Sequence, residues 1–205
     1  VNAFIKSAQP NSEARQAAIY QLDGTIEKWW AAVPESLHLT ATNIATFDRD
    51  HLTKVMLLSA IYHQSLSALH ASVVPLFSWG SANSITKLAQ QFSAQVAYNH
   101  ACMLSELLNM FLNYSTQMAD LPSYLGYAAY CSLAIQIPFL SCSNPVIRER
   151  AQQNAETNMR VIRGLGRCWK FMGIYVSAKS HNPTASESII ANVLVWFSRR
   201  DTPIT

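Results

Sequence analysis

Apolar residues recur at steps of three and four from about Asn11 to Val33, where Ile19, Leu22, Ile26, Trp29 and Val33 trace one face of an amphipathic helix that Pro34 ends. Asp23 and Gly24 weaken its middle, and residues 38–50 lose the period. A second helix is expected over about His51 to Ser72, apolar nearly all round, with Asp48 or Asp50 as its N-terminal cap. After the connector "VVPLFSWG", Asn83 or Ser84 is placed to cap a long third helix to about Tyr114, whose stripe reads Ile85, Leu88, Phe92, Val96, Met103, Leu107 and Met110. Asp120 and Pro122 open an uncharged fourth segment with a core helix over Leu125 to Leu140, and Asn144 before Pro145 signals a fifth. Gly164 and Gly166 in "RGLGR" should break that fifth helix, with "CWKFMGIYVSA" continuing as a sixth. Thr184 and Glu187 form a capping-box pattern for a seventh, carrying Ile189, Ile190, Val193, Leu194, Trp196 and Phe197. No stretch alternates as a strand does. The expected fold is therefore all-α: a single irregular domain of about seven helices over residues 1–205, without a sheet.

The first of these helices poses a packing problem, because adjacent Trp29 and Trp30 point about 100° apart. On a helical wheel Ile19, Leu22, Ile26 and Val33 form a band, with one tryptophan near each edge. Both rings would be buried if the helix lay in a groove between two neighbours with Asp23 and Glu27 facing water. Truncating either ring would then cost about 3–5 kcal/mol.

Composition sharpens the picture. Hydrophobic residues make up 50% of the 205 residues and charged ones 13%, roughly half the usual charged share of about 25%. Either the helices are covered on most sides, or the apolar faces meet other parts of a larger protein or assembly. Val1 in place of Met, with no charged-then-apolar leader, reads as a segment cut from a longer chain. Residues 121–147 carry no charge, but Pro122, Ser132, Gln136, Pro138 and Asn144 interrupt them, so a buried helix is expected there and no membrane span. Cys102, Cys131, Cys142 and Cys168 contain no CxxC pair and read as buried thiols of a reducing compartment, although their even number also permits two disulfides.

Candidate chemistry is sparse. Asp48, Asp50 and His51 in "DRDH" are the densest set of ligand or acid-base types, but they sit where a helix N-terminus uses carboxylates as caps. His63 and His70 lie seven apart, about 10 Å along the axis, too far for one metal; they read as interhelical hydrogen-bonding groups. His38, His100 and His181 look isolated. GxSxG, a phosphate loop and DDxxD are all missing, so no catalytic residue, cofactor or metal is expected. Between Arg148 and Lys170 six basic residues face two acidic ones, and Arg160, Arg163, Arg167 and Lys170 follow steps of three and four. They would share a face only if the helix ran through Gly164 and Gly166, giving either a contact surface for phosphates or a solvated face.

The order "LDGTIEKWWAAVPESL", "LLSAIYHQSLSALHASVVPLFSW", "SITKLAQQFSAQVAYNHACMLSELL" and a late "RGLGRCWKFMGIYV" resembles the C-terminal portion of the middle homology region of fungal-specific transcription factors. Trp29, Trp30, Pro34 and Leu37, then Tyr62, His63, Leu69, His70, Pro75 and Leu76, and finally Leu165, Gly166 and Trp169 carry the resemblance, which spans about residues 15–180. It implies a nuclear regulatory domain that controls RNA polymerase II transcription by modulating an activation segment, favouring dimers or responding to a small metabolite. DNA contact and zinc would belong to a separate N-terminal cluster of six cysteines, absent from these residues. An effector pocket, if present, would draw on the aromatic residues Trp30, Tyr62, Phe77, Trp79 and Trp169, each of which also suits the core. The alternative is a helical interaction scaffold that docks components of the transcription machinery or a second copy and takes no small ligand.

Overall fold

The computed structural model describes residues 12–77, 86–114, 118 and 121–168. Five α-helices account for most of them: α1 (Ser12–Ala31), α2 (Arg49–Ala71), α3 (Lys87–Tyr114), α4 (Ser123–Gln136) and α5 (Pro145–Cys168), with no strand among the described residues. The all-α class stands. The expected count of seven is not reached there, because the helices expected around residues 169–178 and 184–197 lie outside the described residues, as do Asn83, Ser84 and Asp120.

Local chemistry sets the ends of the helices. Asp48, in extended backbone, caps α2 by accepting the His51 N–H at 2.9 Å, and its other carboxylate oxygen lies 2.5 Å from the His51 ring. Thr86 Oγ1 accepts the Ala89 N–H at 3.4 Å at the start of α3. Asn144 Oδ1 accepts the Val146 N–H at 3.0 Å, while Pro145 takes the first position of α5, where its missing N–H costs nothing. The expected helix over Leu125 to Leu140 is α only to Gln136 and continues as a 3-10 turn, Ile137–Ser141. Pro138 has no N–H to return to the preceding turn, so the tighter winding takes over.

Helix α3 packs against α2, α4 and α5, and α1 lies against α2. The main core gathers Met56, Leu104, Leu108, Phe111, Leu125, Leu133, Met159 and Leu165. The stripe expected on α3 holds at Leu107, which is buried, and is corrected elsewhere: Leu88, Phe92 and Met103 are exposed, at 77%, 52% and 47%, and Ile85 lies outside the described residues. The buried line is instead Ala89, Ser93, Ala97, Ala101, Leu104, Ser105 and Leu108. Small side chains let α3 approach its neighbours closely, and with partners on several sides it has no single large-residue face.

Helix α5 also departs from expectation, running through Gly164 to Cys168 without a break. Gly164 serves close approach: a Cβ there would stand 2.7 Å from Met118 Cγ, so the position is a seat for the methionine and no terminator. No helix is long and apolar enough to cross a membrane among the described residues. Cys102, Cys131 and Cys142 are free thiols, the first buried and the others half-buried.

Candidate functional site

The titratable and aromatic side chains concentrate where α1 crosses α2 and α3. Helix α1 is anchored by Ile19, Leu22 and Ile26, which pack on Leu69, Val73 and Ala89, and by Arg15, which donates to the Ser72 carbonyl at 3.0 Å. Above this apolar patch the contacts turn polar. His70, fully buried, faces Ser93 Oγ at 3.2 Å through Nδ1, and Asp23 Oδ1 lies 3.3 Å from its Nε2, at ion-pair distance but off the line of a hydrogen bond. Asp23 thus points into the structure, which corrects the expectation that its side of the helix faces water; the buried imidazole draws it inward. Glu27 is exposed as expected.

The tryptophan pair separates into two roles. Trp29 is 42% exposed, whereas Trp30 is half-buried and stacks in parallel on His38 and on Tyr62, each at 4.4 Å between ring centres and 7° from coplanar. Helix α1 lies against α2 and the start of α3, and no element among the described residues covers Trp29. His63 and His100 meet across α2 and α3 with their Nδ1 atoms 3.0 Å apart, and Tyr62 touches both rings. Burial, with the His100 ring beside it, holds the His63 pKa down to about 3, and burial with His70 nearby lowers that of His100. Burial and the Glu27 and Asp23 carboxylates raise the Tyr62 phenol.

Two of the five aromatic candidates, Trp30 and Tyr62, therefore come together. Phe77 does not join them; it packs near Phe139 in a separate cluster with Tyr98. Trp79 and Trp169 lie outside the described residues. Reading His63 and His70 as interhelical groups holds, but His38 and His100 are not isolated. For His100, though not for His38, a spacing was there to read once α2 and α3 are known to pair: His63 and His70 are seven apart on α2, Ser93 and His100 are seven apart on α3, and antiparallel helices bring two such pairs into register.

Of the basic residues, Arg160 and Arg167 are exposed and Arg163 is half-buried; with α5 unbroken these three follow the expected spacing, and Lys170 lies outside the described residues. Two further arginines of that stretch are engaged. Arg148 donates to the Cys142 carbonyl at 3.0 Å, and Arg150 pairs with Glu106 at 2.6 Å. Less positive charge is therefore free for phosphates than the sequence count suggests. Asp48, Asp50 and His51 remain at the α2 N-terminus, where Asp50 also pairs with Lys54 at 2.6 Å. No group of three or more metal-ligating side chains converges among the described residues. No protein-family model, curated protein or solved structure matches the chain.

Proposed function

We propose that the chain is a regulatory domain of a fungal-specific transcription factor, acting in the nucleus on RNA polymerase II transcription and controlling an activation segment through the α1 junction. The observation that carries this reading is convergence: Trp30, Tyr62 and His63, three of the residues on which the resemblance rests, pack together although Trp30 stands on a different helix, more than thirty positions away in sequence. Such a junction between α1 and the α2/α3 pair that supports it is a natural point for a metabolite or an intramolecular partner to bias. DNA binding and zinc would reside in a separate domain, no membrane is involved, and no catalytic role is assigned. The helices expected beyond Cys168 would complete the seven-helix domain.

The test is a reporter assay in which the whole chain is placed between a heterologous DNA-binding domain and an activation segment. Output should fall several-fold relative to the same fusion without the chain, and Trp30→Ala should restore it. Equal output with and without the chain would sink the proposal. A scaffold reading without effector is favoured by one observation, the exposed apolar Tyr20 and Phe92, whose rings meet at 6.4 Å across α1 and α3 beside exposed Leu88. An unchanged melting temperature across a metabolite panel, with a stable dimer in sedimentation, would select the scaffold.

A further inference from the structure

The His63 and His100 pair is more than a filler of the α2/α3 interface. The two Nδ1 atoms stand 3.0 Å apart, although two apolar residues would close the same gap without burying polar nitrogen. Neutral imidazoles allow two proton arrangements here. In one, a single N–H···N hydrogen bond joins the rings; in the other, both protons sit on Nε2 and two lone pairs face a common point. Burial keeps both rings in the neutral form that ligates metals.

The separation selects among metals. With metal–nitrogen bonds of about 2.0–2.1 Å, a tetrahedral angle needs nitrogens roughly 3.3 Å apart. The observed 3.0 Å corresponds to an angle of roughly 95°, close to the right angle of a tetragonal site. We infer that His63 and His100 form a two-histidine clamp for a divalent ion of tetragonal preference, copper(II) or nickel(II). Its geometry is preset: the α2/α3 register is fixed by Ser67 donating to the Ala97 carbonyl at 3.3 Å and by His70 against Ser93, and Tyr62 packs on both rings. Asp23, beside His70 and His100, supplies negative charge near the ion. Among the described residues no third ligating side chain converges, so water would complete the coordination and the ion would exchange readily. The inference does not depend on the regulatory reading.

Copper(II) chloride titrated into the metal-free full chain tests it, followed by tryptophan fluorescence and electron paramagnetic resonance. One equivalent should bind, with two ring nitrogens in the copper plane and quenching of Trp30, whose ring lies 6.4 Å from that of His63. His63→Asn and His100→Asn should each weaken binding more than about tenfold, whereas the double variant His51→Asn, His181→Asn should bind as before. Absence of binding, or binding unaltered by either junction substitution, overturns the clamp. Should those variants fail to fold, the comparison of wild type with Trp30→Phe decides: quenching lost in the variant supports the clamp, and undiminished quenching overturns it.

Discussion

The interior shared by α3, α4 and α5 and the junction under α1 are assembled on different plans. In the interior, leucines and alanines close around a small buried knot, in which Asn158 Nδ2 donates to Ser105 Oγ at 2.9 Å and to Ser132 Oγ at 3.2 Å, and Ser132 donates to the Ala101 carbonyl at 2.8 Å. Within this knot every side-chain polar atom except Asn158 Oδ1 has a partner, and elsewhere in the same interior Asn154 Nδ2 and Tyr98 Oη are buried without one. At the junction, by contrast, rings and imidazoles carry the contact, His38 Nε2 is buried without a hydrogen-bond partner, and one of two adjacent tryptophans stays exposed. Tight apolar packing gives a single, costly-to-open arrangement. A junction that rests on half-buried rings and imidazoles opens at lower cost.

Substitutions and pH separate the two regions. The largest effect is expected in the interior, where Leu108→Ala should cost about 2–5 kcal/mol in denaturant unfolding and destabilise all the helices together. A value below ~1 kcal/mol would erase the contrast. Acid should act on the junction. In chelator-treated protein the stability contributed by neutral His63 is fully present above the unfolded pKa of about 6.5 and is lost as pH falls from there toward the folded value of about 3. At pH 5 this alone shifts the equilibrium about thirtyfold toward opening, and His63→Gln should flatten the dependence. Next in size, Trp30→Ala should cost roughly 2 kcal/mol, about half the value for a fully buried ring, and should speed amide exchange in α1 while leaving α4 and α5 protected. Trp29→Ala should cost less than ~1 kcal/mol, in line with a residue 42% exposed. If the two tryptophans proved equal, the asymmetry of the junction would be lost.

How far these regions were legible in the sequence follows from the same contrast. The positions of the described helices and the caps at Asp48 and Asn144 were readable, because these residues, with Pro145, act on neighbouring backbone and need no tertiary partner. The buried face of α3 was not. Large residues attract the eye, whereas the first half of the helix buries alanine and serine and leaves Leu88 and Phe92 outside, and leucines are buried only from Leu104 onward. Gly164 misled for a related reason: a glycine that ends a helix and one that admits a neighbour look alike until Met118 is in place. At the junction Trp30 and Tyr62 were two of five aromatic candidates with nothing in the sequence to say that these two would stack, His38 comes from an aperiodic loop, and His100 from a helix whose pairing with α2 the sequence alone does not fix.

That loop carries a consequence of its own. Between Ala31 and Arg49 the chain folds on itself, with Asn43 Nδ2 donating to the His38 carbonyl at 2.8 Å and Thr40 N–H donating to Asn43 Oδ1 at 2.8 Å. Helix α1 is thus tethered to its own seat by a short, partly ordered leash. Tethers of this kind hold a segment at an effective concentration on the order of millimolar. A competing helix supplied in trans at micromolar concentration therefore needs an intrinsic affinity roughly a thousandfold higher to keep α1 displaced. A small ligand or an ion that loosens the seat meets no such handicap, since it need not win the seat from α1.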